Sequence, residues 1–290
     1  MQMPSSILEI REELLAGTCR WLPYRTFTVC DPKRRLILAA PFRDRIVHQA
    51  IYQVLGPTLD ALIPHNSFAC RKGMGNHAAA QSLADILKKL GPDRWTIKLD
   101  VRQYFLSIDH KTLMTMLGPY METPEVTALV RSLLASHPEY GMLERGLPIG
   151  NVSSQSFANL DLSPVDRLGA SIDGVDYIRY MDDMVITGHH RKAVYSLAAE
   201  IRAMVHETLK LSIPYHKVVH LGSDPVPFLG YVIDHHGSRP LARNLRRHRR
   251  QIAAMQKAGV KESTLAKAEA SFSAWKTMGK KQLYEISRNR

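Results

Sequence analysis

Asp182 and Asp183 stand side by side in Tyr180-Met181-Asp182-Asp183, between Tyr177-Ile178-Arg179 and Met184-Val185-Ile186-Thr187. Val175, Tyr177 and Arg179 alternate with Asp176, Ile178 and Tyr180, and the right flank is apolar and β-branched. Both flanks therefore read as short strands with the acids at a hairpin tip. Nothing in those strands neutralises the two acids. Like charges so close repel, and a divalent cation held between carboxylate oxygens relieves the repulsion; a solvated acidic turn is the bland alternative. About eighty residues upstream, Trp95-Thr96-Ile97-Lys98-Leu99 is a short apolar strand that runs into Asp100. Three carboxylates so arranged suit two-metal phosphoryl transfer, with one metal activating a hydroxyl and the other steadying a pyrophosphate leaving group. A second reading has Asp100 capping the helix that follows.

The elements that must position these acids follow from apolar spacing. Residues 44–55 read as a helix with Ile46, Val47, Ala50, Ile51 and Val54 on one side, and residues 75–90 as another. Residues 191–209 carry Val194, Leu197, Ile201, Val205 and Leu209 at three- and four-residue steps. Between them lie the strand to Asp100, a helix within 153–167, the Asp-Asp hairpin and a strand near 213–221. Strand, helix, two strands, helix, strand is a split βαβ layout whose open sheet face can carry the carboxylates. The runs at 222–225 and 235–240 are turn-rich, and the second marks a boundary before the C-terminal segment.

At 290 residues, with 45% apolar and 23% charged residues, the chain has the composition of an ordinary globular protein with a sizeable core. It lacks an apolar run of membrane-spanning length and a signal-peptide layout, which implies a cytoplasmic protein without membrane association. Cys19, Cys30 and Cys70 are odd in number and widely spaced, so neither a disulfide framework nor a zinc site is expected. Charge is more telling. Residues 241–290 hold 13 Lys and Arg against 3 Asp and Glu, so ten of the twelve net positive charges fall in the last fifty residues. Arg243, Arg246, Arg247, Arg249 and Arg250 recur on an expected helix, a cluster suited to a phosphate backbone. A solvated basic face is the competing reading.

With these motifs in order, the chain resembles a reverse transcriptase. Asp100 and Tyr180 to Asp183 match that family's two catalytic motifs. Lys33-Arg34-Arg35-Leu36-Ile37 and Pro41-Phe42-Arg43-Asp44-Arg45-Ile46-Val47-His48 resemble the segment that grips the incoming triphosphate, and Ser67-Phe68-Ala69-Cys70-Arg71-Lys72-Gly73 resembles a bacterial fingers turn. Gly146 to Gln155 resembles the loop beside the nucleotide, and Lys217 with Phe228-Leu229-Gly230-Tyr231 resembles the last palm motif and the primer grip. The resemblance implies an α+β right-hand polymerase. Its fingers would be 1–93 with part of 117–152, its palm, built on a ferredoxin-like sheet, 94–116 and 153–234, and its mostly helical thumb 241–290. Ile149 before Gly150 and Gln155 after Ser154 are similar to the enzymes of diversity-generating retroelements, which miscopy template adenines. The chain begins almost at the fingers, which leaves a phage-defence or orphan bacterial enzyme as the alternative; an inactive RNA-binding relic is the non-enzyme reading. No room is expected after the thumb for an RNase H or endonuclease domain.

The same resemblance implies the site. Asp100, Val101, Asp182 and Asp183 would hold two Mg²⁺ ions, for which Mn²⁺ can stand in. Lys33, Arg35 and Arg45 would meet the triphosphate of a dNTP, and Ile149 and Gln155 would flank the nucleotide. Phe105 would bar a ribose 2′-hydroxyl or be a plain core residue, and Lys217 would protonate pyrophosphate or sit in solvent. Phe228, Leu229 and Gly230 would grip the primer, and the arginine cluster would hold the RNA–DNA duplex by its backbone. Template RNA and an accessory protein of the retroelement are the implied partners.

Overall fold

The computed structural model describes residues 7–30, 34–214, 219–221 and 224–273. The chain opens with α1 (Ile7–Leu15), an antiparallel hairpin of β1 (Arg25–Cys30) and β2 (Arg34–Ala39), then α2 (Phe42–Ala61) and α3 (Asn76–Leu90). β3 (Trp95–Asp100) follows, then the helices α4 (Tyr104–Ser107), α5 (His110–Leu117), α6 (Pro124–Leu134) and α7 (Pro138–Leu143). Next come α8 (Val152–Asp161), α9 (Ser163–Ala170), the hairpin of β4 (Val175–Tyr180) and β5 (Asp183–Gly188), and α10 (Arg191–Glu207). β6 (Val219–Leu221), β7 (Val226–Phe228), β8 (Tyr231–Asp234), β9 (Gly237–Pro240) and α11 (Ala242–Lys257) complete the set, and residues 262–273 are again helical.

The central sheet has the order β4-β5-β3-β6 with every pair antiparallel, so β3, first in sequence, lies inside. That is the split βαβ order, with the α8–α9 and α10 segments as its crossovers. Alternation along the strands divides the apolar side chains between the two faces. Ile97, Leu99, Tyr177, Met184 and Ile186 enter the main core, where α10 presents Val194, Leu197, Ile201 and Val205. Ile178 and Val185 point the other way, into a second core built by Ala79, Ala80, Leu83 and Leu87 of α3 and by the β7-β8-β9 sheet. Burial on both faces explains why β5 reads as an unbroken apolar run. The strand ends that carry the acids project past this cover.

The expected helices over 44–55, 75–90 and 191–209 are present as α2, α3 and α10, and β3 and the β4–β5 hairpin stand where alternation placed them. Two elements differ from expectation. The helix within 153–167 is two, α8 and α9, which meet at Leu162, and Pro164 near the start of α9 has no N–H with which to continue a single hydrogen-bond ladder. The turn-rich run 235–240 contains a strand, β9, paired to β8 from Tyr231↔Pro240 to Asp234↔Gly237. Its polar composition hid it because β9 is an edge strand with little apolar surface to bury. Of the strand expected near 213–221, residues 219–221 form β6, and 215–218 lie outside the described residues.

His48 joins α2 to α8: its Nδ1 is 2.6 Å from Ser153 Oγ, the ring is almost fully buried, and burial pushes its pKa down to about 4 from 6.5. Between those values the folded state binds fewer protons than the unfolded chain. The stability His48 contributes is therefore complete above pH 6.5 and is lost as pH falls towards 4, by up to about 3 kcal/mol. Asp161, pushed up to about 7 by burial, acts in the opposite sense, with stability lost as pH rises from about 4 to 7. The difference between wild type and His48→Gln isolates the first effect. Urea unfolding from pH 7 to 4 is expected to give a flatter acid limb for the variant, and parallel profiles would contradict the assignment.

Candidate active site

Asp100 and Asp183 are directly paired across β3 and β5, so their side chains share a sheet face, and Asp182 lies one residue away in the two-residue turn after Tyr180. Met181, the other turn residue, has φ of +53°, in the left-handed region that costs a side chain about 1 kcal/mol or more. Arg179 holds this turn from beneath. Its Nη1 donates to Met181 O at 2.9 Å, and its Nε and Nη2 each donate to Asp166 of α9 at 2.6 Å. Both residues of the pair are fully buried. Burial alone would lower the Arg179 pKa, but the Asp166 charge and hydrogen bonds more than offset it, so the guanidinium stays protonated. Gly169 makes the approach of α9 feasible, since a Cβ there would lie 2.4 Å from Cγ of Tyr177. Asn66 and Phe68 lock the β4 backbone from outside through Arg179 N to Asn66 O at 2.8 Å and Phe68 N to Arg179 O at 3.0 Å.

The acids line a cleft of about 670 Å³ together with Lys98, Phe105, Ile149, Tyr180, Leu229 and Arg243. Phe105 is carried by α4, which Tyr104 pins by donating its hydroxyl to Ala158 O and, at 3.2 Å, to Asp161. Leu147 N donates to Phe105 O at 2.7 Å, which lays the 146–150 loop along α4 and brings Ile149 to the same wall. Leu229 and Gly230 both have positive φ, as a two-residue type I′ hairpin between β7 and β8 requires. Phe228 beside them is buried in the second core, so of the three expected grip residues Leu229 is the one that faces the cleft.

Asp182 has its carboxyl raised well above the usual range, first by burial and then by the charge of Asp100. The two acids repel each other, and a divalent cation between them would relieve that repulsion. Asp183 is different. Both its oxygens lie at Lys98 Nζ, at 2.9 and 3.0 Å, so the expectation that nothing neutralises the two acids fails for this one: the counter-charge comes from the neighbouring strand. Among the described residues no three His, Cys, Asp or Glu side chains form a finished metal cage. The Asp100–Asp182 pair fits a cation with Asp183 in reserve. The capping alternative for Asp100 does not hold, because Gln103 occupies the N-cap position of α4.

Other expected residues lie elsewhere. Val101 is buried, its N–H donating to Asp182 O at 3.3 Å. Gln155 is half-buried on the first turn of α8 and does not line the cleft. Arg45 lies over the Phe42 ring at 5.5 Å in a separate shallow hollow on α2. Arg35 is on β2, opposite Val29, while Lys33 and Lys217 lie outside the described residues. Arg246, Arg247, Arg249 and Arg250 are exposed on α11 with Arg243, which alone of the five reaches the cleft wall. Lys98, Arg179 and Asp166 were missed. For Lys98 a signal existed, because two residues before Asp100 on a strand means the same face.

Residues 31–233 match the family model described as reverse transcriptase (RNA-dependent DNA polymerase). The chain belongs to this family. It is 26% identical over 167 residues to the putative COX1/OXI3 intron 1 protein of Saccharomyces cerevisiae, covering 55% of this chain and 20% of that one. It is 24% identical over 168 residues to the group II intron-encoded protein LtrA of Lactococcus lactis, covering 56% and 28%. The chain thus spans under a third of the length of these curated relatives. Among solved structures, telomerase from Candida albicans in complex with a TWJ fragment of telomeric RNA superposes with a TM-score of 0.61 at 13% identity, over 83% of this chain and 47% of that one. Apo telomerase from Candida tropicalis gives 0.57 at 12%, over 81% and 49%. At such identities the likeness is one of fold, a right-hand polymerase architecture in this α+β chain. No helix among the described residues is long and apolar enough to cross a membrane.

Breaking the buried pair by Asp166→Asn or Arg179→Met leaves one buried charge without its partner and is expected to cost about 3–5 kcal/mol in urea unfolding. The double variant should recover much of that loss. A single-variant cost below about 1 kcal/mol would show that the pair does not hold the turn.

Proposed function

We propose that this chain is an RNA-directed DNA polymerase that extends a primer with dNTPs along a template RNA. The observation that carries the reading is the convergence of Asp100, Asp182 and Asp183 at one end of a split βαβ sheet, in a cleft walled by Phe105 and Arg243. Asp100, Asp182 and Asp183, with Val101, would hold two Mg²⁺ ions, or Mn²⁺ in their place, which supply activation of the primer hydroxyl and neutralise charge on the departing pyrophosphate. The chain's own groups do the rest. Phe105 crowds a ribose 2′-hydroxyl, Ile149 borders the nucleotide, and the Leu229-Gly230 turn supports the primer end. Lys33 and Arg35 would meet the triphosphate by charge-assisted hydrogen bonds and Lys217 would give a proton to pyrophosphate, whereas Arg45, over the Phe42 ring, stands apart from the cleft. Arg243, Arg246, Arg247, Arg249 and Arg250 bind the duplex backbone without reading sequence. In these terms fingers, palm and thumb fall at 1–93 with part of 117–152, at 94–116 with 153–234, and at 241–290.

Asp182→Asn keeps the side chain's shape and removes a metal-binding charge. Primer extension on RNA is expected to fall by at least about 10³-fold while filter binding of the template–primer changes little, since several kcal/mol of transition-state stabilisation rest on the metal site. Substantial extension by this variant would overturn the assignment.

The finer reading is a diversity-generating retroelement enzyme, working on a dedicated template RNA with an accessory protein. Ile149, an apolar contact where most relatives in the resemblance have a polar amide, supports it, because a looser hold on the base pair erodes discrimination. The intron-encoded relatives favour a second reading, a group II-like enzyme. Deep sequencing of the cDNA separates them. Errors concentrated opposite template adenine and reduced by Ile149→Gln are expected on the first reading, and uniformly accurate copying would leave the second.

A further inference from the structure

Lys98 stands two residues before Asp100 on β3, so the strand's alternation points it to the face that carries the acids. The β3–β5 register sets it opposite Val185, one pleat from Asp183. Its ammonium has three donors and no acceptor. It donates to two different elements: Asp183 Oδ2 accepts at 3.0 Å, with Oδ1 within ion-pair distance at 2.9 Å, and Pro227 O on β7 accepts at 2.9 Å. The ring of Phe228 lies 5.6 Å from the same nitrogen, within reach of a cation–π attraction. β7 belongs to the three-stranded sheet, which shares no ladder with β3 or β5. The Lys98 head therefore spans two sheets, with only 16% of its side chain exposed.

We propose that Lys98 is a positioning residue that ties the catalytic carboxylate Asp183 to the β7–β8 hairpin, and that it holds this acid in competition with a divalent cation. The inference rests on the polymerase reading for the role of Asp183, but the contacts themselves do not. β7 ends at Phe228, and the next residue, Leu229, is the turn residue that lines the cleft. Fixing Pro227 and Phe228 to the strand bearing Asp100 therefore sets the height of that turn above the acids. The same ammonium lowers the negative charge of the cleft by one, which leaves Asp100 and Asp182 as the more attractive pair for a cation. Removing Lys98 should loosen the hairpin and tighten cation binding, whereas general damage to the site would weaken both.

The test uses the whole chain and two measurements that need no polymerase activity. In Lys98→Met, which keeps the apolar stem, backbone amide exchange across residues 226–231 is expected to quicken by about tenfold, in line with the loss of charge-assisted hydrogen bonds. Mn²⁺ binding to the protein without nucleotide, read by electron paramagnetic resonance, is expected to tighten by about fivefold as a competing cation is removed. Lys98→Arg retains the charge and should stay closer to wild type in Mn²⁺ affinity, and it serves as the test variant if Lys98→Met does not fold. Its fork should still lose the Pro227 contact and so quicken hairpin exchange. Unchanged exchange at 226–231, or Mn²⁺ affinity that is unchanged or weaker in Lys98→Met, would overturn the proposal. Wild type without primer extension on RNA would remove the polymerase reading instead, and the tether would then stand or fall on exchange and Mn²⁺ binding alone.

Discussion

A guanidinium with no exposure to solvent has to be paired, and the pairing of Arg179 with Asp166 is the constraint from which the acid-bearing end of the sheet is built. The cost of burying two charges is offset by a bidentate contact together with hydrogen bonds to Met181 O, Asn159 Oδ1 and Asn159 O. Each acceptor comes from a different place: α9, the hairpin turn and α8. The pair therefore does more than stabilise. It brings three elements to one point, and it holds there the carbonyl of Met181, the residue before Asp182. The left-handed Met181, unfavourable for a side chain with a Cβ, persists because its carbonyl is held there.

Above that base the opposite difficulty arises, because three acids within one turn and one strand end repel one another. Lys98 meets part of it by pairing with Asp183, and the remainder stays with Asp100 and Asp182, where burial and mutual repulsion raise the Asp182 pKa. A half-neutralised set of acids can attract a cation and yet leave the chain folded without one. Arg243 at the cleft wall and four more exposed arginines along α11 extend a positive field beside the acids. One end of the molecule thus separates a negative floor from a positive rim.

The walls of the cleft are set by backbone pairing as much as by packing. The 146–150 loop hydrogen-bonds to Phe105 and Ile108, and Tyr104 pins the short α4 to α8, so Phe105 and Ile149 face the acids from an element too short to be stable alone. On the opposite side a two-residue turn with both φ values positive puts Leu229 into the cleft, although leucine is unfavourable in that region. Of Phe105, Ile149 and Leu229, only Leu229 has a positive φ.

Local pattern determined a good deal. Alternation around Tyr177–Thr187 and the apolar run into Asp100 were enough to place three strands and all three acids, because a strand's period of two is written in adjacent residues. Three- and four-residue steps identified α2, α3 and α10 for the same reason, and the arginine cluster of α11 was plain from charge alone. The break between α8 and α9 was legible in principle at Pro164, yet the apolar pattern ran through it. β9 was hidden by its polar composition, since an edge strand has little to bury. What only the tertiary structure decided is who partners whom. Asp166 and Arg179 lie 13 positions apart, Lys98 and Asp183 85, and Lys98 and Pro227 129. No local period connects such pairs, and their charges read as solvated until the fold removes the water and brings their partners to them.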